Sequence, residues 1–374
     1  MDSPSKRRFY QQVVDQIRNG RKITSGITPF TKLEKMGSNK YKAPRLIQAR
    51  HPTFNIAYGC YIKPLERANK HKLQFGKGTY DEIGAKIHKL SRKYQYYTEG
   101  DHKTFDAHVT RDMLRICHEH YRSCYQQDNQ LRRLCSKTLR NKARTREGEN
   151  YSVVGTRMSG DVDTGYGNSI INYYILKKLL GILRIKGDAI VNGDDFILFT
   201  SSKLDSEQCK RILREFNMET EMGESTNNIH HIEFCRCRLI YHPDGHPTMA
   251  FDPDRLQKIY GATYLPWTDE QYTGYLQVIH HANFMINQNS PAHRQWRPLL
   301  SLEDKLKKYM THSLERVFAK QSNNRVYKWD YLTPSYIEAY PNYKIDKPQY
   351  PYYKPVAPQK RIVINHNIKE LFIV

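Results

Sequence analysis

Asp194 and Asp195 stand side by side at the tip of a hairpin-like sequence, residues 189–199 (AIVNGDDFILF). Asn192-Gly193 between two apolar runs is a strong local signal for a tight turn joining two strands. Neighbouring carboxylates repel, and a divalent cation, which takes oxygen ligands, is their natural partner. A solvated Asn-Gly-Asp-Asp turn explains the same residues locally, because turns favour these types. The rest of the chain must decide. Asp101 and Asp106 lie five positions apart at the end of a β-rich run, residues 93–106. Between the acidic sites, residues 159–168 (SGDVDTGYGN) open a helical stretch. A strand ending in a carboxylate beside a hairpin ending in two can hold a pair of divalent ions roughly 3.5–4 Å apart. Such a pair serves in-line phosphoryl transfer, activating the attacking hydroxyl and stabilising the leaving phosphate.

The elements that position these residues are set by pattern. Apolar spacing predicts helices over about 6–18, 107–126, 168–181 and 206–216, and a mostly helical region beyond 250 that includes 269–285 and 302–320. Residues 127–150 read as a short helix and an exposed loop, and residues 231–240 as one strand before an Asp244-Gly245 turn. Residues 340–358 form a Tyr/Pro-rich stretch of extended, polyproline-type character. Cys117, His118, His120 and Cys124 could suggest zinc. However, Val109, Met113, Ile116/Cys117, Tyr121 and Cys124 recur at helical spacing, which favours the buried face of one helix. Cys235-Arg236-Cys237 alternates as a strand does, which argues against a joint metal site there.

Charge points to the partner. Lys and Arg total 60 against 38 Asp and Glu, a net charge of +22, with a pI near 9.5. Residues 1–72 carry sixteen Lys/Arg and four Asp/Glu. Such an excess calls for a polyanion, and nucleic acid is the first expectation. No run of about 18 uninterrupted apolar residues is present to span a membrane, and the N-terminus lacks the apolar core of a secretory signal. Seven cysteines, an odd number, suggest a reducing setting rather than a disulfide framework.

Taken in order, these pieces resemble the RNA-dependent RNA polymerases of positive-strand RNA viruses, and within them the tombusvirus-like group. Asp101-x4-Asp106 resembles the first palm motif, Ser159-Gly160-x3-Thr164-x3-Asn168 the second, and Gly193-Asp194-Asp195 the third. Glu233-Phe234-Cys235 resembles the strand that grips the primer end. Lys42-Ala-Pro-Arg45 through Arg50 is similar to the basic finger motif, and the stretch containing Pro29-Phe30, Lys32 and Lys35 is similar to the group's upstream sequence.

The resemblance implies an α/β (α+β) fold shaped as a right hand. Fingers would come from 1–92 with an insertion at 111–154. The palm, an antiparallel sheet backed by helices, would come from 93–110 and 155–240. A mostly helical thumb would cover 241–339, and a Tyr/Pro-rich basic tail 340–374.

It also implies roles. Asp101 and Asp194 would be the principal ligands of Mg²⁺ (or Mn²⁺), with Asp195 supporting. Asp106 and Asn168 would read the ribose 2′-hydroxyl, which a carboxylate and an amide can between them accept from and donate to. Ser159, Gly160 and Thr164 would form the loop and helix start beside the nucleotide. Lys42, Arg45 and Arg50 would hold the triphosphate, and Lys32, Lys35, Phe234 and Cys235 would lie along primer and template. The family offers a lysine after the helix at 206–216 as general acid, yet residues 217–231 contain none, and that role stays unassigned. Implied partners are an RNA template, nascent RNA and NTPs, with other viral replication proteins and host membranes. The implied location is the host cell cytoplasm, at membrane-associated replication complexes. Two alternatives remain. A reverse transcriptase typically has a bulky residue where Asp106 stands, and a non-catalytic RNA-binding subunit would show a degenerate palm.

Overall fold

The computed structural model describes residues 4–32, 43–263, 267–296 and 332–344. Lys35, Lys42, the helix expected at 302–320 and all but the first residues of the Tyr/Pro-rich stretch lie outside them. The chain mixes helix and sheet, in the order α1 (Pro4–Arg18), β1 (Ile27–Thr31), β2 (Leu46–Arg50), α2 (Pro52–Asn69), α3 (Tyr80–Ser91), β3 (Tyr96–His102), α4 (Phe105–His108), α5 (Arg111–Ser123), α6 (Asn129–Ser136), β4 (Arg140–Arg144), β5 (Asn150–Val154), α7 (Thr164–Leu183), β6 (Gly187–Asn192), β7 (Asp195–Thr200), α8 (Ser206–Glu215), β8 (Thr220–Met222), β9 (Glu233–Phe234), β10 (Cys237–Tyr241), β11 (Pro247–Phe251), α9 (Pro253–Lys258), α10 (Asp269–Ile286) and α11 (Pro334–Ala339). Two compact units result, one holding most of the described residues up to Leu239 and the other chiefly those from Ile240 onward.

The first unit is built on the antiparallel sheet β6-β7-β3-β8. Phe196, Ile197, Leu198 and Phe199 of β7 are all buried, which is why this strand reads as a continuous apolar run rather than an alternating one. Ile171, Ile175, Leu176, Leu179 and Leu180 of α7 and Cys209 and Leu213 of α8 share a core with Ala189, Val191, Phe196 and Leu198 of the sheet. Burying each such aliphatic side chain contributes about 1.5–3 kcal/mol. The outer edge of β6 is covered by the turn at 74–76, where Val191 N–H donates to Gln74 O (3.0 Å) and Gly76 N–H to Val191 O (2.8 Å). Lys86 holds that turn from behind. Its ammonium donates to Lys70 O, Phe75 O and Lys77 O at 2.6, 2.7 and 3.0 Å, and burial lowers its pKa to about 8.

A second sheet, β2-β1-β4-β5, lies in the same unit. Its β4–β5 hairpin replaces the exposed loop expected within 127–150. Along β4 only Asn141 and Ala143 are buried, while Arg140, Lys142 and Arg144 are exposed. That alternation is written mainly in polar residues and gives almost no hydrophobic signal. The helix expected at 107–126 is broken at Val109-Thr110 into α4 and α5, with Thr110 accepting from Met113 N–H as the new N-cap. Cys117 and Tyr121 lie on its buried face, and all seven cysteines are free thiols.

The strand expected over 231–240 is instead a hairpin. Phe234 pairs with Cys237 and Glu233 with Arg238, leaving Cys235-Arg236 as a two-residue turn with φ of +50° and +65°. Two successive left-handed residues define a type I′ turn, which normally takes Asn or Gly.

In the second unit, Ile240, Ala250, Ala292, Tyr336, Ala339 and Tyr343 form a small core. Asn289 Nδ2 donates to Thr248 Oγ1 and Met249 O at 2.7 and 2.8 Å, and Tyr241 N–H donates to Ser335 Oγ at 2.9 Å. Among the described residues, no helix is long and apolar enough to cross a membrane.

Candidate active site

Asp101, the penultimate residue of β3, sits directly opposite Asp195, the first residue of β7, and on its other side opposite Glu221 of β8. Directly opposed residues of antiparallel strands share a face, so three carboxylates form one row across three strands. Asn192 pairs with Asp195, which makes Gly193-Asp194 the hairpin turn. Within that turn Gly193 alone takes a positive φ, +70°, the pattern of a II′ turn. A Cβ there would meet nothing within 4 Å, so backbone conformation, not space, asks for glycine. At Gly100 the reason is space, since a Cβ would strike the Phe196 ring.

Burial, then the charges of Asp194, Asp195 and Glu221, push the Asp101 carboxyl up to about 6. Burial and Asp194 likewise raise that of Asp195. Arg236, from the I′ turn, opposes both shifts, and the Cys235 thiol hydrogen-bonds Asp195. Mutually repelling carboxylate oxygens are a donor set suited to a hard divalent cation. Among the described residues, no three His, Cys, Asp or Glu side chains form a ready-made metal cage.

The turn bearing Asp194 is held by α7. Gly193 N–H donates to Ser169 Oγ at 2.8 Å, and Asn172 Nδ2 donates to Gly193 O and Asp194 O at 2.9 and 3.2 Å. Asn172 Oδ1 in turn accepts from His102 Nε2 at 3.0 Å, and His102 Nδ1 lies 2.8 Å from Thr220 Oγ1. Burial lowers the pKa of His102 to about 4, so the ring is neutral, with its proton on Nε2 and Nδ1 accepting from the hydroxyl. None of Ser169, Asn172, His102 or Glu221 stands out in the sequence. Helical spacing from Asn168 could have found Asn172, one turn on.

Asp106 lies on α4 rather than in the strand. Asn168 lies on α7, which starts at Thr164, four residues earlier than expected. The structure brings them together, with Asn168 Nδ2 donating to Asp106 Oδ1 at 2.7 Å. Burial raises the Asp106 carboxyl above its ordinary value despite that bond. Thr164 Oγ1, 2.9 Å from Asp161 O and 3.0 Å from Met158 O, fixes the helix start.

The loop before α7 is stitched to β2. Gly160 N–H donates to Gln48 O (3.2 Å), Gln48 N–H to Ser159 Oγ (3.3 Å) and Ser159 Oγ to Leu46 O (3.1 Å). Arg45 and Lys32 are exposed. Arg50 departs from its expected role as a phosphate ligand. Its side chain is fully buried and donates to both oxygens of Asp161 at 2.6 and 3.0 Å and to Asn141 Oδ1 at 2.6 Å. Its guanidinium joins β2 to the α7 loop. Phe234 departs likewise, because its ring is 2% exposed and occupies the space a Cβ on Gly76 would need. Cys235, not Phe234, faces the carboxylates. His230 is a structural residue, its Nδ1–H donated to Leu239 O at 2.7 Å.

Known proteins resemble this chain in sequence. A polymerase of Panicum mosaic virus, named RNA-directed RNA polymerase, is 31% identical over 236 residues, 58% of this chain and 24% of the relative. That of Turnip crinkle virus is 30% identical over 261 residues, 63% of this chain and 33% of the relative. That of Tomato bushy stunt virus is 28% identical over 268 residues, 65% of this chain and 32% of the relative. The chain thus matches between a quarter and a third of these relatives' length. The family described as viral RNA dependent RNA polymerase matches residues 3–333. That match runs through both carboxylate strands, the α7 loop and most of the chain beyond them, and the chain belongs to this family, among relatives from tombusvirus-like viruses.

Proposed function

We propose that this chain catalyses template-directed RNA synthesis, transferring nucleotidyl groups from NTPs on an RNA template. The observation that carries the reading is Asp101 facing Asp195, with Asp194 on the adjoining turn. Bound Mg²⁺ (or Mn²⁺) would activate the attacking 3′-hydroxyl and stabilise the departing pyrophosphate. Asp101 and Asp194 are its principal ligands in this reading, with Asp195 supporting. Asp106 and Asn168 meet the ribose 2′-hydroxyl, and Arg45, with Lys42, meets the triphosphate. Ser159, Gly160 and Thr164 fix the loop under the nucleotide. Lys32 and Cys235 would serve template and primer, as Lys35 would by the resemblance, whereas Phe234 and Arg50 act by holding their neighbours in place.

The sheet β6-β7-β3-β8 with α7 and α8 corresponds to a palm, the basic N-terminal segments and 111–154 to fingers, and 241–339 to a thumb, with the basic tail beyond it. The partners are template and nascent RNA, joined by other viral replication proteins and host membranes at cytoplasmic replication complexes. The test is NTP incorporation by the purified chain on RNA and DNA templates, beside Asp194→Ala. Extension by Asp194→Ala at the wild-type rate would sink the reading. Equal use of NTPs and dNTPs would turn it toward a reverse transcriptase.

A further inference from the structure

Asp106, Arg157 and Asn168 close a ring of hydrogen bonds. Asn168 Nδ2 donates to Asp106 Oδ1 (2.7 Å), Arg157 Nε donates to Asn168 Oδ1 (3.0 Å), and the backbone N–H of Arg157 donates to Asp106 O (2.8 Å). The Arg157 side chain is fully buried, and its Nη1 donates to Asp163 Oδ2 at 2.6 Å. That oxygen also accepts from the hydroxyls of Tyr58 and Tyr121, both at 3.2 Å. Burial opposes a charge on Asp163, yet the guanidinium beside it holds its carboxyl below the ordinary value.

The surroundings are cleared for this guanidinium. A Cβ on Gly167 would collide with Arg157 Nη2 and the Tyr121 hydroxyl. Just before Arg157, Gly155 and Thr156 take φ of +75° and +55°. A β-branched residue at positive φ is an outlier that persists only where its surroundings impose it. Here the Thr156 N–H is tied to Val109 O at 2.9 Å.

A primary amide has two ends of opposite hydrogen-bonding sense, and its orientation is set by its neighbours. A guanidinium can only donate. Arg157 therefore selects the orientation in which Asn168 Oδ1 faces inward and Nδ2 faces Asp106. The second amide proton is a donor and the other Asp106 oxygen an acceptor, the two senses that one hydroxyl can answer.

We propose that Arg157 is the positioning residue for sugar selection, fixing the Asn168 amide so that the Asp106–Asn168 pair matches a ribose 2′-hydroxyl and leaves a deoxyribose unmatched. The proposal rests on the reading that this pair meets the sugar. Arg157→Lys keeps a buried cation beside Asp163 but lacks the planar fork needed to hold two acceptors.

The measurement is kcat/KM for an NTP against its 2′-deoxy analogue in single-nucleotide incorporation on an RNA template. In Arg157→Lys the ratio is expected to fall about tenfold, as for loss of one ordered hydrogen bond. Tyr121→Phe removes a donor to Asp163 and the acceptor of the Cys117 thiol but no bond to Asp106 or Asn168, so it should lower Tm and keep the ratio. Adding Arg157→Lys to Asn168→Ala should cause no further loss. If Arg157→Lys is insoluble, Arg157→Met with Asp163→Asn removes both buried charges together and carries the same expectation. An unchanged ratio in the soluble variant overturns the proposal, as does an equal fall in Tyr121→Phe. Asn168→Ala separates the two layers. If it leaves the ratio intact, the sugar-contact reading fails. If it lowers the ratio and Arg157→Lys does not, only the role of Arg157 fails.

Discussion

Asp101 and Asp195 face each other directly across β3 and β7, with Glu221 opposite Asp101 on its far side. Cross-strand pairs of like charge destabilise a sheet, and the cations among the described residues act on this row from outside it. Lys103 reaches Glu221 from the rim at 3.2 Å, and Arg236 acts from the I′ turn.

Asp101→Asn should therefore separate stability from activity. Removing the central charge relieves the repulsion, so in EDTA the Tm is expected to rise by about 1–3 °C, a figure kept small because solvent screens the row. Incorporation on an RNA template should fall by roughly a thousandfold or more, because a proposed principal metal ligand is gone. Thermal scans with and without EDTA, paired with the extension assay, check both arms. A lower Tm in EDTA would show that the row is not under strain.

Asn172→Ala removes three bonds at once, two to the carbonyls of the Asp194 turn and one from His102. Residues that orient metal-binding groups typically cost ten- to a hundredfold when lost. The expected result is a kcat lower by about that factor with KM for NTP little changed, since the residues proposed to meet the triphosphate are untouched. Steady-state kinetics across NTP concentration decide it. An effect confined to KM would place Asn172 on the nucleotide rather than behind the turn.

Acid should destabilise the fold through His118. Burial lowers its pKa to about 4. Its Nε2 lies 3.1 Å from Thr138 Oγ1, whose own proton goes to Cys135 O. The unfolded chain therefore binds a proton near pH 6.5 that the folded chain refuses until about pH 4. Stability from this group is full above the unfolded value and is lost as pH falls across that window, by up to about 3 kcal/mol. His118→Gln should flatten the dependence in part, leaving the shares due to His102 and to the other histidines whose pKa burial lowers, His51, His88, His120 and His281. Urea midpoints at pH 7 and 4.5 provide the comparison, and parallel shifts in both proteins would refute it.

The Cys235-Arg236 turn holds two side chains in a conformation that disfavours them. Replacing the pair by Asn-Gly, the residues a I′ turn prefers, should stabilise the protein by about 1–3 kcal/mol. The same change removes the Arg236 charge and the Cys235 thiol from beside Asp195, so primer extension should weaken. Denaturation and extension on a primed RNA measure the two effects. A turn that gains stability without losing extension would make Arg236 dispensable.

How much of the molecule is legible from its residues alone depends on what each one advertises. Asn192-Gly193 between apolar runs announces its hairpin, and the order of Asp101, Ser159–Asn168 and Asp194 announces the family. Arg157 announces nothing, because one arginine in a loop carries no period and its buried partners lie on α5, on α7 and in the loop before α7. The Cys235-Arg236 turn reads as strand because neither residue is a turn former. The β4–β5 hairpin reads as loop because its inward residues are an asparagine and an alanine. Arg50 resembles a phosphate ligand because composition shows charge but not burial, and Asp161, which neutralises it, lies 111 positions away.

The stitches between β2 and the loop before α7 have a mechanical meaning. Gly160, Ser159 and Asp161 are bonded to Gln48, Leu46 and Arg50, and the same helix grips the Asp194 turn through Ser169 and Asn172. Strand, loop, helix and turn are thus joined by a continuous chain of hydrogen bonds, which gives a displacement of β2 a bonded route to the carboxylates.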